Sequence, residues 1–335
     1  MFESFDPKMA ANHGNVTLLY GCDGEVPQLI QHGESLFFSI ILISIILIAI
    51  HGNLLVIISI IKYKSLQNPR NVLLCSLAFT DLLSPLTRLL PIAISTIQER
   101  WVLGCLYCAI SAASGVFFCS ASILHLCLIT VERYISIRWP LRSKLWITER
   151  RACILLVLVW FFSLLMGLIP YFTSSVDLYF NNKILFCNFY LAHHPYLSIV
   201  MTALFFCLPF FLMLLVYYRI YRKIVVNNRR IVPNIAVSQQ RKNDVERRMK
   251  QEWNAVKMVI VVVAVFFGLW LPYFSVACIK SYHPTLLPPW VERGALTIAY
   301  FNPCCNFVVY CIMNMKLREA FRKLIWCESQ RVNPP

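Results

Sequence analysis

The sequence predicts an all-α membrane protein, a seven-transmembrane helix bundle with a short amphipathic eighth helix. Three observations predict it. Of 335 residues, 59% are hydrophobic and only 14% are charged, whereas a soluble domain carries about 25% charge. The apolar residues gather into seven runs, each long enough to cross a hydrocarbon core of roughly 30 Å as a helix. The basic residues sit between alternate runs: 25 of the 31 lysines and arginines fall in three connecting segments and the carboxyl-terminal tail.

The runs are 35–61, 72–97, 105–137, 152–172, 196–225, 255–279 and 286–312. The third exceeds the usual span of 17–25 residues, so it is expected to tilt or to project into the cytoplasm. An odd number of spans puts the termini on opposite sides. The basic segments hold Lys62, Lys64 and Arg70; Arg133, Arg138, Arg142, Lys144, Arg150 and Arg151; Arg219 to Lys257; and Lys316 to Arg331. The other connections and the amino-terminal segment hold few positive charges and several acids, Glu3, Asp6, Asp23 and Glu25 among them. By the positive-inside rule the amino terminus is extracellular and the carboxyl terminus cytoplasmic. The net charge of +15 therefore follows the membrane, and no nucleic acid partner is expected. Residues 1–34 lack the basic start and short apolar core of a cleavable signal, so the first span is read as its own insertion signal. Asn15-Val16-Thr17 is a glycosylation acceptor on the extracellular side.

The longest cytoplasmic connection, 227–252, is polar and basic apart from Ile231-Val232-Pro233. Its later part, 244–257, mixes charges at helical spacing and is expected to extend the sixth helix into water. Beyond the seventh run, Leu317, Phe321, Leu324 and Ile325 alternate with Lys316, Arg318, Arg322 and Lys323. That pattern suits a helix lying on the inner leaflet and touching membrane lipid. Cys327 follows it as a palmitoylation candidate, with an unmodified interfacial cysteine as the alternative. The resulting division is an extracellular segment 1–34, a seven-helix domain 35–313, and a helix with short tail 314–335.

Most of the 14 cysteines lie within apolar runs, where cysteine serves as a small hydrophobe. Cys105 and Cys108 are two residues apart but lack the second pair that a zinc site requires. On the oxidising side, a disulfide is expected from the top of the third helix to Cys187. A second one from Cys22 to Cys105 or Cys278 is an open alternative. No nucleophile–base or metal constellation appears, so the chain is not read as an enzyme.

Ionisable residues lie at three places where the membrane makes charge costly. Glu132-Arg133-Tyr134 stands at the inner end of the third run, Asp81 near the middle of the second, and Arg88 two turns outward of it. Such groups normally face protein or water and serve a function, although Arg133 alone could simply snorkel to the headgroups. Pro209 and Pro272 each remove a helical hydrogen bond and are expected to kink their helices. Phe266 and Trp270 share one helix face a turn apart.

These residues carry a resemblance. With Gly52-Asn53-Leu54-Leu55-Val56, Leu77-Ala78-Phe79-Thr80-Asp81, Trp101-Val102-Leu103-Gly104, Glu132-Arg133-Tyr134 followed by Pro140-Leu141, Trp160, Pro209 with Tyr217, and Phe266 with Trp270-Leu271-Pro272, the chain resembles the rhodopsin-like (class A) G protein-coupled receptors over 35–327. The resemblance implies a Cys108–Cys187 disulfide and an extracellular ligand. Inside the cell it implies a heterotrimeric G protein and an arrestin as partners. It makes Glu132, Arg133, Tyr134, Tyr217, Glu252 and Tyr310 the coupling switch, with Glu252 as an ionic partner of Arg133 in the closed state and Tyr217 as its partner in the active one. Phe266, Trp270, Pro272 and Asn306 become activation microswitches. Asp81, Ser122, Asn302 and Asn306, with Asn53, resemble the family's site for an allosteric sodium ion; no other cofactor is implied. A protonated Asp81 without an ion is the alternative. The seventh run departs from the pattern. Asn306-Phe307-Val308-Val309-Tyr310 is the preferred register, because Asn314, Leu317-Arg318 and Ala320-Phe321 follow it at the family's spacing. Pro303 then lies one turn outward of the usual proline. With Ser329 the single phosphorylatable residue after Cys327, tail-dependent arrestin recruitment is expected to be weak.

The resemblance also frames the ligand pocket: Arg88, Gly115, Val116, Cys119, Phe189, Met201, Phe205, Tyr273, Phe274 and Tyr300. Gly115 stands where amine receptors place Asp, and Tyr300 where opsins place their retinal-binding Lys, so neither ligand is expected. Phe189 and the run from Glu132 to Arg142 are similar to adenosine receptors, but Ala277 and Tyr190 replace the Asn and Glu those receptors use. Arg88 is read as the receiver of an anionic ligand group, with Glu99 or Glu292 as an internal partner in the alternative. A lipid-like or peptide ligand is expected. The competing functions are a constitutively active or non-signalling receptor of the same fold and, further off, a seven-helix transporter, which would need inverted repeats or a polar path through several spans.

Overall fold

The computed structural model describes residues 32–172, 177–181, 186–190, 195–231, 239–283 and 285–326. The expectations at Asn15, Cys22, Cys327 and Ser329 lie outside those residues, as does the side chain of Glu252. Seven helices among the described residues are long and apolar enough to cross a membrane. They are Ser35–Lys62, Pro69–Gln98, Gly104–Arg138, Glu149–Phe172, Ile199–Lys223, Trp253–Tyr282 and Pro289–Met313, here spans one to seven.

Local chemistry explains where they begin. Span two starts three residues before the expected 72, because the Asn68 side chain accepts the Asn71 N–H at 3.1 Å and Pro69 takes the first helical position. Span seven starts three residues later than expected, at Pro289. Leu286 instead closes a turn by donating its N–H to the His283 carbonyl. Before span three, Gly104 adopts φ +71°, a conformation glycine takes without steric cost, and its carbonyl accepts the Trp101 indole N–H at 2.8 Å. Span six continues inward as one helix from Gln239 to Tyr282, an extension that begins earlier than the expected 244.

Spans two and five each contain one wide, π-type turn, at Pro85–Leu89 and Ala203–Cys207. Each inserts a residue and rotates the helix beyond it. In span two the turn brings Arg88 inside. In span five it buries Phe206, while the expected pocket residue Phe205 is only half-buried. Span seven is interrupted at Phe301, and Asn302–Met313 restarts with Pro303 in its first turn. The break thus sits outward of Tyr310, as the displaced proline led one to expect.

Span three is the most enclosed helix, and span five presents most of its surface outward. The inner half packs as one apolar core around Leu77, Leu126, Met213, Ile220, Val259, Phe266 and Tyr310. Spans one and seven approach closely at Gly52, where an added methyl would collide with the Phe307 ring. On the outer side, β1 (Asp177–Asn181) and β2 (Phe186–Tyr190) form an antiparallel hairpin with Phe180 opposite Cys187. Cys187 is bonded to Cys108, tying β2 to span three. The amphipathic helix Met315–Ile325 is capped by Asn314, whose side chain accepts the Leu317 N–H at 3.2 Å. Its apolar face divides: Leu317, Ala320 and Phe321 are buried against the bundle, while Ile325 and the following Trp326 face outward.

Gly52→Ala is expected to lower stability by about 1–3 kcal/mol, the usual cost of overpacking a close contact. Thermal unfolding of the purified protein measures it.

Candidate functional site

The inner end of span three holds a cluster of charges. Arg133 Nε lies 2.8 Å from Glu132 Oε2, while Glu132 Oε1 accepts both Arg70 Nε at 2.9 Å and Ser136 Oγ at 2.8 Å. Glu132 and Arg133 are buried, and Arg70 is about one-third exposed. Sequence reasoning missed Arg70 and counted it only as a topology charge. It is nevertheless the interhelical partner that holds Glu132 from the start of span two. Tyr134 packs edge-on against Trp139, at 6.0 Å between ring centres.

One turn outward, the Tyr217 hydroxyl of span five meets Thr130 Oγ1 at 2.7 Å. Tyr217 is therefore held by Thr130 in this state. Tyr310 is fully buried beside the same core, with no hydrogen-bond partner for its hydroxyl among the described residues.

Deeper in the bundle, Asn306 Nδ2 donates to Asp81 Oδ2 at 2.6 Å. Asn53 Nδ2 donates to the carbonyls of Ala49 and Pro303, both at 2.9 Å, joining spans one and seven at the helix break. Asp81, Ser122 and Asn302 line one cavity, and Asn302 Oδ1 is buried without a hydrogen-bond partner among the described residues. A carboxylate, a hydroxyl and an orphaned amide oxygen form a hard-oxygen donor set that fits a small cation such as sodium.

The same cavity reaches Arg88, Gly115, Cys119, Trp270 and Tyr300. Pro303 and four residues that sequence reasoning did not single out, Ser84, Leu89, Phe118 and Ala299, complete its wall. The remaining expected pocket residues lie elsewhere. Val116 and Phe189 pack around the disulfide, and Phe189 meets Tyr171 edge-on at 5.2 Å. Met201 is half-buried on span five. Tyr273 and Phe274 both contact Trp270, at 5.9 and 5.8 Å, and Phe274 also meets Phe206 at 4.5 Å. Rings continue inward from there: Trp270 to Phe266 at 6.2 Å, Phe266 to Phe267 at 5.3 Å, and Phe267 to Phe210 at 4.6 Å. Pro272 lies within this helix, two residues after Trp270.

A second polar group escaped sequence reasoning. His125 Nδ1 lies 2.7 Å from the Ala121 carbonyl and so must donate; Nε2 of the neutral ring then accepts from Ser76 Oγ at 2.8 Å. Ser76 Oγ in turn accepts the Trp160 indole N–H at 3.1 Å. This network links spans two, three and four. The only sequence signal was a histidine inside an apolar run. Near the outer surface, Lys280 of span six pairs with Glu292 of span seven, so Glu292 is not the partner once considered for Arg88.

Seven spans enclosing a polar cavity, with a charged cluster at the inner face, define a seven-helix membrane receptor architecture. Comparison with known proteins identifies which one. The model of the seven-transmembrane receptors of the rhodopsin family matches residues 52–310. The octopamine receptor beta-1R of Drosophila melanogaster is 30% identical over 305 residues, covering 84% of this chain and 60% of that receptor. The alpha-1A adrenergic receptor of Oryzias latipes is 30% identical over 316 residues, covering 86% and 66%. The 5-hydroxytryptamine receptor 4 of Cavia porcellus is 29% identical over 312 residues, covering 87% and 80%. The chain thus spans less than two thirds of the length of the first two relatives. The crystal structure of squid rhodopsin superimposes with a TM-score of 0.78 over 89% of this chain and 87% of its own, at 23% identity. That likeness establishes the fold. The chain belongs to the rhodopsin family of seven-transmembrane receptors, a family of membrane receptors rather than enzymes.

The hydroxyl contacts predict different responses to two tyrosine substitutions. Tyr217→Phe loses a buried hydrogen bond, costing about 1 kcal/mol, and a double-mutant cycle with Thr130→Val is expected to show coupling of that order. Tyr310→Phe removes a hydroxyl without a partner and is expected to be neutral or stabilising. Thermal unfolding of the variants reads both.

Proposed function

We propose that this protein is a plasma-membrane receptor that binds an extracellular, lipid-like or peptide ligand and activates a heterotrimeric G protein from its inner face. The amino terminus is extracellular in this reading. The observation that carries it is the cluster at the end of span three. Arg133 is held by the neighbouring Glu132, which Arg70 and Ser136 hold in turn, and Tyr217 is parked on Thr130 next to it. An arginine so placed can exchange its partner when the surrounding helices shift, whereas one that merely snorkelled would face the headgroups. The rings from Trp270 through Phe266 and Phe267 give contiguous packing from the cavity to the inner core. A ligand that favours one packing of those rings would shift the population of inner-face states.

The family membership supports G protein coupling as the output. The relatives named above are receptors for octopamine, adrenergic agonists and 5-hydroxytryptamine by name; here Gly115 offers no carboxylate at the span-three position where the resemblance placed an aspartate. Asp81, Ser122 and Asn302 would hold the allosteric sodium ion, which adds a positive charge that ties spans two, three and seven in the resting state. Arrestin is a second inner-face partner in this reading.

Nucleotide exchange on purified heterotrimeric G proteins tests the proposal. Wild type is expected to accelerate exchange, basally or with agonist from a lipid and peptide panel, and Arg133→Ala to reduce that acceleration by at least about tenfold. Flat exchange across the panel would sink the reading. Replacing potassium by sodium is expected to raise the unfolding temperature of the wild type but not of Asp81→Asn. An equal response in both proteins would remove the ion from the account.

A further inference from the structure

Arg88 is a buried guanidinium within the apolar thickness of the bundle, 8% exposed. Its Nη1 donates to the Ser111 carbonyl at 2.9 Å, and the group lies 5.5 Å from the Phe186 ring centre. No carboxylate pairs with it among the described residues. A buried cation of this kind normally has an anionic partner, because the penalty for desolvating it is several kcal/mol. One carbonyl and one ring leave most of its five N–H donors uncommitted.

The surroundings are arranged around that cation. Gly115 is the residue that admits it: a methyl at this position would collide with Nη1. Two further donors border the same cavity. The Tyr300 hydroxyl lies beside the guanidinium without a well-formed hydrogen bond, and the Trp270 indole N–H is buried with no acceptor among the described residues. The guanidinium and the indole only donate and the phenol can donate as well, so this end of the cavity is richer in donors than in acceptors. The far end is different, because there Asp81 already accepts from Asn306. The cavity is about 30 Å3, room for about two water-sized groups. That accommodates a small charged group rather than a whole ligand, whose usual site is ten or more times larger.

We propose that Arg88, admitted to the cavity by Gly115, forms with Tyr300 and Trp270 the recognition site for a carboxylate carried by the ligand. The proposal rests on the receptor reading and adds the ligand's charge class. It inverts the polarity implied by the relatives' names: the protein supplies the cation and the ligand the anion. Hydrogen bonds to a charged acceptor are worth about 1.5–3 kcal/mol, so a carboxylate should be preferred over its neutral counterpart by roughly tenfold or more.

The test is thermal unfolding of the full-length protein in nanodiscs, titrated with octanoate, octanol, octylamine, acetate and sodium chloride. Octanoate is expected to raise the transition of the wild type at concentrations about tenfold lower than octanol or octylamine. Arg88→Gln is expected to erase that preference and Arg88→Lys to retain part of it. If Arg88→Gln fails to fold, Tyr300→Phe keeps the test readable, since it removes one donor and should weaken octanoate alone. Acetate acting as strongly as octanoate would support the carboxylate site and make its source a small free acid rather than a lipid-like one. Equal shifts from octanol, an unchanged preference in both Arg88→Gln and Tyr300→Phe, a chloride response matching octanoate, or no response to any carboxylate would each overturn it. Because unfolding reads binding without a G protein, a flat octanoate arm beside Arg133-dependent nucleotide exchange refutes this site and leaves the receptor reading standing. The opposite pair of results does the reverse.

Discussion

Hydrocarbon offers no hydrogen-bond partners, so each polar group placed in the bundle must be answered by another part of the protein. Span three is where this constraint is most concentrated. From its outer to its inner end the Ser111 carbonyl receives Arg88, His125 meets Ser76, Thr130 meets Tyr217, and Glu132 receives Arg70. Each contact reaches a different depth of span two or span five, and Trp160 adds span four through Ser76. Apolar packing alone is a weak guide to position in a bilayer, because lipid tails match leucine side chains in polarity. The ladder of polar contacts fixes the rotation and depth of span three, and the cavity and the charged cluster inherit their geometry from it.

The two ends of the cavity then acquire opposite character from few residues. Asp81 and Asn302 present oxygens on one side, while Arg88, Tyr300 and Trp270 present donors on the other. The break at Phe301 lies beside both, and Asn53 reaches across to the Pro303 carbonyl there. The interruption of span seven therefore sits beside the cavity, where a contact from span one also reaches it.

Much of the architecture was legible in the sequence, since hydrophobic runs of membrane length and asymmetric basic connections report directly on the solvent each segment meets. The Asn68 cap and the prolines at 69 and 289 set helix starts through local chemistry that a hydropathy pattern blurs. The preferred span-seven register agrees with the Asn314 cap and the burial of Leu317 and Phe321. Less legible were the contacts created by inserted turns and by pairing between helices. Nothing local to Arg70 says that it reaches Glu132, 62 residues away. Phe205 and Phe206 exchange roles because of one wide turn that no residue type announces. Val116 and Phe189, expected at the pocket, pack around the disulfide, a contact that the hydropathy pattern does not report.

The Lys280–Glu292 pair has a mechanical consequence. It joins span six to span seven near the outer surface, while the helix containing Lys280 runs unbroken inward to Gln239. At 1.5 Å per residue, that length is about 60 Å. Were span six to pivot as a rigid rod at that pair, a tilt of about 5° would carry the far tip through roughly 5 Å. Trp270, about 15 Å from the pair, would move by only about 1 Å, so a displacement there is magnified about fourfold at the far end.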